Sequence, residues 1–455
     1  MKYSERLPTV LIWLGVVTPA LLSLYFIFQF GLNAIFGDEW AFVPLLELFI
    51  TGENWLQEIP ARHNTFIPIF PRLIVLEIAY LTSYNIFYEL IVGWMFVGVT
   101  VFFFWLLVRQ TIPEAKWIII PIAWLTYSFS HYEVALQGLT SIAWNLSILS
   151  IIASIYFLNR IKFSPSSVLP AIIFGFIGTF SHFMVLLIWL IGLLNFKGLL
   201  RSRQKTFAIF LIVGITSIVL YYIVWNYGIT WFGYSPNPGL PNDYHELINY
   251  VLVYLGNGPR IGTYTVGGFD QIIMATGIGV CVVSIFVVMN ALYYNNQVLR
   301  HNHNIKPWLQ IALFGLVSAF ATGIARMHLG PEQALSPRYV LFSNLFLEAT
   351  MVITIIVLLH MIKTSKTQNS KNILRGILVI LLILLCLDIA IGYASGWVGG
   401  STWSKDISVG ASCLMEFESA SDDCLRILFP FGDGVREWAK TLQEFCLGPF
   451  ATKCN

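Results

Sequence analysis

An adjacent carboxylate pair, Asp38–Glu39 in the sequence GDEW, and the run RMHLGPEQALSPRY, which holds Arg326, His328 and Arg338, are the residues here best suited to chemistry. A partly desolvated carboxylate has a raised pKa and takes a proton from a hydroxyl group, so Asp38 and Glu39 suit a catalytic base. Asp38 alternatively caps a short helix beginning near Trp40, since aspartate is a good N-cap. Two arginines flanking a Gly-Pro turn suit an anion site, because guanidinium grips phosphate through a bidentate fork. Snorkelling toward lipid head groups accounts for one arginine more readily than for both. Arg72, Arg260 and Tyr339 either join such a site or anchor helices. His63, in Arg62–His63–Asn64, and His182, at a break between apolar stretches, are further substrate-binding candidates, although a lone histidine commonly serves packing. No Walker or Rossmann phosphate loop, HExxH, CxxC or GxSxG pattern is present.

The elements that must position these residues are membrane helices. Of the 455 residues, 57% are hydrophobic and 11% charged, with a mean hydropathy of +0.74. Soluble domains carry about 25% charged residues. A net charge of +2 gives no footprint for nucleic acid. Apolar windows predict spans at 9–32, 86–108, 117–130 extending toward 136, 141–159, 166–180, 182–196, 206–226, 271–293, 308–325, 339–362 and 373–395. The expected fold is therefore an all-α polytopic membrane protein of about eleven transmembrane helices. The pair 166–180 and 182–196 reads as two short helices meeting near Ser181–His182 or as one long tilted helix. The first span is too long for a signal-peptide core. The stretch 66–82 holds Arg72 and Glu77 and predicts a helix lying along the interface.

Charge and cysteine placement orient the chain. With the N-terminus inside, the expected inner loops hold sixteen of the 26 Lys and Arg residues, which obeys the positive-inside rule. Cys281 and Cys386 lie in apolar spans and read as inert packing residues. Cys413, Cys424, Cys446 and Cys454 fall in a polar tail, at spacings unlike a zinc site. They predict two disulfides, of open connectivity, in an oxidising compartment. The expected organisation is a membrane domain over 1–395 and a small external disulfide-bonded tail over 396–455, with the N-terminus in and the C-terminus out. Two external loops, 36–83 and 227–270, are longer than neighbouring helices need.

The order of these features resembles the membrane-embedded glycosyltransferases of the GT-C superfamily: a first helix, an external loop opening on an acidic pair, a His-containing stretch leading to an interfacial helix, then many spans. GDEW, RHN followed by FPRL, and ARMHLGPEQALSPRYVLFS look like segments of a group of bacterial polytopic proteins within that pattern. Thr65, Phe66 and Ile67 stand where that group has E-H-R, and Pro337 interrupts its S-R-Y. The resemblance implies transfer of a sugar from a polyprenyl-phosphate donor to a glycan or lipid acceptor, outside a bacterial cytoplasmic membrane. Asp38 matches the first-loop base, with Glu39 second, and Arg338 the S-R-Y arginine; Arg326 and His328 would join the donor phosphate site. No cofactor is required on this reading, and one Asp–Glu pair gives a divalent cation a place to bind without specifying it.

Two other classes fit the composition. A transporter or flippase would use Glu348 and Asp388, the acids inside apolar spans, as a proton relay. Against it, no internal repeat is evident and the polar clusters lie outside the spans. An assembly subunit presenting its disulfide-bonded tail is the third.

Overall fold

The computed structural model describes residues 9–63, 66–160, 165–196, 204–228, 230–231, 244–258, 271–430 and 432–453. It is an all-α polytopic membrane protein. Eight helices among the described residues are long and apolar enough to cross a membrane: Thr9–Phe30, Ile86–Thr111, Gly138–Leu158, Lys205–Tyr227, Gln271–Asn295, Lys306–Leu329, Pro337–Thr364 and Gln368–Met415. Val168–Thr179 and Phe183–Leu193 are apolar but shorter. The region 166–196 is thus two short helices rather than one. They part where His182 takes extended backbone and its Nδ1 accepts the Met184 N–H at 3.4 Å.

The span expected at 117–130, extending toward 136, is also broken. Helix Ile119–Thr126 stops, Ser128 caps the short turn Phe129–His131, and Tyr132–Leu136 follows. The reason lies in a neighbour. A Cβ on Gly396 would stand 2.2 Å from the Phe129 carbonyl oxygen, so the long C-terminal helix meets this break backbone to backbone. Glycine makes the same kind of approach elsewhere: a Cβ at Gly256 would meet the Ala275 carbonyl oxygen, and one at Gly279 that of Leu252. Small residues at crossings are how membrane helices gain van der Waals contact without a hydrophobic driving force.

The helix expected at 66–82 forms over Ile69–Thr82. It ends at Ser83 and Tyr84, both with positive φ (53° and 59°), and Asn85 then caps helix Ile86–Thr111 by accepting the Phe87 N–H at 3.1 Å. This strained corner is braced from afar: the Gly448 N–H donates to the Ser83 carbonyl at 2.8 Å.

The boundary expected at residue 395 is absent. Helix Gln368–Met415 continues through it for 48 residues in all. At 1.5 Å per residue that is about 70 Å, more than twice a hydrocarbon core of ~30 Å. Its far end carries the Cys413–Cys424 disulfide and leads to helix Gly432–Glu444. Cys446 is disulfide-bonded as well, and Cys454 lies outside the described residues. Cys281 and Cys386 are free but exposed on the outer face of the bundle, not packed inside it. The tail is folded against the first loop. Trp40, Phe42, Leu45 and Leu46 share one apolar core with Leu425, Leu428, Val435, Leu442 and Phe450.

Candidate active site

A cavity of about 530 Å³ opens at the end of the bundle that carries Asp38, lined by seven stretches of chain. That is within the roughly 300–1,000 Å³ usual for small-molecule sites. Its walls include Asp38, Glu39, His63, His182, Arg326, Arg338 and Tyr339, which are separated by up to three hundred residues in sequence.

The acidic side is built by a turn. Gly37 has φ +59°, in the region that favours glycine, and its N–H donates to the Leu428 carbonyl at 2.8 Å. The 3₁₀ turn Gly37–Phe42 that follows sends the two carboxylates opposite ways. The Asp38 side chain is 50% exposed, while Glu39 is buried. Asp38 Oδ2 stands 3.2 Å from Nε2 of His63, a contact at ion-pair distance rather than an aligned hydrogen bond. His63 itself is held by a two-residue parallel pairing, Arg62–His63 with Thr230–Trp231, which joins the first long loop to the second. Arg62 covers the Trp225 ring at 4.7 Å.

Glu39 does something else. Its Oε1 accepts the Leu139 N–H at 3.0 Å and its Oε2 the Phe36 N–H at 3.4 Å. Gly138 leaves room for a second acid: a Cβ there would lie 2.4 Å from Glu89 Oε2 and 3.1 Å from Glu39 Oε1. Burial pushes the Glu39 carboxyl up, against the lowering effect of its backbone hydrogen bonds, and the Asp38 charge adds to the rise. A folded-state pKa above the unfolded value stabilises the fold at low pH, and that contribution is lost as pH rises toward the raised value. Glu39→Gln should therefore flatten the decline in melting temperature of the detergent-solubilised protein as pH rises above the ordinary carboxyl range. An unchanged slope would remove the buried-acid assignment.

The cationic side holds a distinction that residue type alone does not show. Arg338 Nε donates to Glu133 Oε2 at 2.9 Å, and the Ser336 hydroxyl donates to the same oxygen at 3.2 Å. Arg326 lines the cavity with no hydrogen bond or ion pair among the described residues. Arg326 thus has its whole fork to offer, and Arg338 only its outer nitrogens. Tyr339 stacks on Tyr254 at 5.3 Å, and the His182 ring lies 4.8 Å from that of Trp144. Trp144, Phe66 and Phe342 give the cavity an aromatic flank able to face a sugar ring.

Not every expected residue is there. Arg72 is 1% exposed, and its Nη1 donates to the carbonyls of Ile59 and Ala61, so it ties the first loop together instead of binding substrate. His328 is exposed and lies outside the cavity lining. Arg260 falls outside the described residues. Glu348 is buried, with Oε1 accepting the Thr126 hydroxyl at 3.0 Å, and Asp388 lines a separate apolar groove between helices; neither reaches this cavity. Among the described residues no three His, Cys, Asp or Glu side chains gather as a metal site.

Three site residues escape a reading of the sequence. Glu133 lies in the extension of a predicted span, where a lone charge is itself a signal. Trp144 has no local mark. Arg426, with Ile427, Leu428, Phe429 and Pro430, comes from the tail and closes one side of the cavity.

No family model matches the chain, and no curated protein matches it in sequence. Among solved structures the chain is similar to the crystal structure of ArnT from Cupriavidus metallidurans in the apo state. The two share 11% identity at a TM-score of 0.46, over 97% of this chain and 78% of that one.

Proposed function

We propose that this chain transfers a sugar from a polyprenyl-phosphate donor to a hydroxyl acceptor, with Asp38 as the base and Arg326 as the principal group on the donor phosphate. One observation carries the reading: a half-exposed carboxylate in contact with a histidine, and a guanidinium that makes no hydrogen bond or ion pair among the described residues, line the same cavity. Direct displacement needs both. The acceptor O–H gives its proton to Asp38 as its oxygen bonds to the anomeric carbon. The bond from that carbon to the phosphate oxygen breaks, and the electron pair leaves on the phosphate, where Arg326 and the outer nitrogens of Arg338 offset its charge. Glu39 sets the turn that aims Asp38. His63 orients the carboxylate.

The cavity would face the outside of a cytoplasmic membrane, with the N-terminus inside. Its tail wall carries the Cys413–Cys424 disulfide, which supports an oxidising compartment. Comparison of lipid extracts from cells with and without the chain tests the reaction. The polyprenyl-phosphate sugar pool should be drawn down only when the wild-type chain is present, and a pool indifferent to the chain would contradict the proposal.

A further inference from the structure

The C-terminal tail is tied to the catalytic turn more closely than a separate appendage needs to be. Besides the Gly37–Leu428 hydrogen bond, the Trp40 and Trp438 rings stack at 6.2 Å, and the Thr441 hydroxyl reaches Glu47 Oε2 at 3.4 Å. The tail is stapled internally too. The Cys413–Cys424 disulfide closes its first loop, and Arg436 Nη2 donates to the Ala420 carbonyl at 3.1 Å and to Asp422. The segment Arg426–Pro430 is thereby fixed as a wall of the cavity, on the side where Asp38 stands.

We infer that this wall forms the acceptor subsite, and that Arg426 selects an acceptor bearing a negative charge such as a phosphate. The inference rests on the proposed function, since it takes Asp38 as the base. A base must stand beside the hydroxyl it deprotonates, within about 3 Å. The acceptor therefore lies against the Asp38 side, and the tail segment hydrogen-bonded to Gly37 is what it meets there. Arg426 supplies a third guanidinium to the cavity. Among the described residues its one ion pair is with Asp423, at 3.0 Å and three residues away, with the Arg426 side chain 57% exposed and that of Asp423 90% exposed. Exposed pairs of this kind are weak and exchange readily for a better anion. Arg326 and Arg338, from another stretch of the cavity lining, already give a single donor phosphate two guanidinium groups. A third guanidinium, on the segment bonded to the base-bearing turn, is left for a charge on the acceptor.

The test uses the full chain in detergent, with Cys281→Ala and Cys386→Ala removing the free thiols and Thr140→Cys placing one thiol in the cavity. The rate ratio of an anionic over a cationic methanethiosulfonate reports the local potential, and glycerol phosphate protection reports anion binding. Arg426→Gln should lower the ratio about threefold, as expected for one charge a few ångströms away in a wet, screened cleft. It should also raise several-fold the glycerol phosphate concentration needed for protection. Asp423→Asn, which frees the guanidinium, should move both readings the other way. If Arg426→Gln fails to elute as a monodisperse species, Asp423→Asn decides, and no change in that variant overturns the inference. Unchanged ratio and protection in well-folded Arg426→Gln overturn it as well. These readings require no turnover. A chain that shows them yet transfers no sugar would contradict the proposed reaction and not the anion subsite.

Discussion

Asp38→Asn is expected to lower sugar transfer by about 10²–10⁴-fold, the range for removal of a general base, with donor binding and melting temperature nearly unchanged. The substitution keeps the shape of the side chain and removes its ability to accept the acceptor proton. Stability should hold because the carboxylate is half exposed and an amide of the same shape can also meet His63, 3.2 Å away. The same change one residue on has a different meaning. Glu39 is buried and holds the backbone of Phe36 and Leu139, so Glu39→Gln should act on pH-dependent stability and only modestly on rate. A variant pair in which Glu39→Gln abolishes turnover and Asp38→Asn does not would mean the wrong carboxylate has been chosen.

Arg326→Gln is the second large effect. Loss of a group aimed at developing charge typically costs about 10²–10³ in turnover. Because Arg326 meets the donor phosphate before and during bond cleavage, KM for the donor should rise together with the fall in kcat. Arg338→Lys makes the informative contrast. It keeps the charge but loses the planar fork that lets one nitrogen hold Glu133 while others face the cavity. Its effect should be smaller than that of Arg326→Gln, and Glu133→Gln should reproduce part of it. If Arg326→Gln is silent while Arg338→Lys is severe, the phosphate sits on the other arginine.

Much of this site could be read from the sequence, for a topological reason. In a chain of membrane helices, loops an even number of spans apart lie at the same end, so charged motifs at Asp38–Glu39 and Arg326–Arg338 have few places to go but together. The residue types then suggested base and clamp. What sequence could not supply is how each side chain is already occupied. Nothing local distinguishes Arg72, whose guanidinium is spent on backbone carbonyls of its own loop, from Arg326, which bonds no carbonyl among the described residues. Glu133 was hidden because hydropathy averaged over a window absorbs one charge, and the span it seemed to belong to is in fact broken at Phe129–His131. The tail was misjudged for a similar reason. Hydropathy and helix propensity both fall after residue 395, but packing overrides them: Gly396, Gly399 and Gly400 let the helix run on in close contact with Phe129, Tyr132 and Phe26. That contact delivers Arg426 to the cavity, and no local pattern near Arg426 announces it.

The most direct measurement is sugar transfer by the purified chain from a labelled polyprenyl-phosphate sugar to a membrane-lipid acceptor extract, run with wild type, Asp38→Asn, and the Asp38→Asn, Glu39→Gln double variant. The account predicts labelled product from wild type and a loss of at least about 10²-fold in both variants, with each variant still folded by its melting transition. Wild-type levels of product from the double variant would contradict it, because no other carboxylate in the described lining of the cavity could then serve as the base.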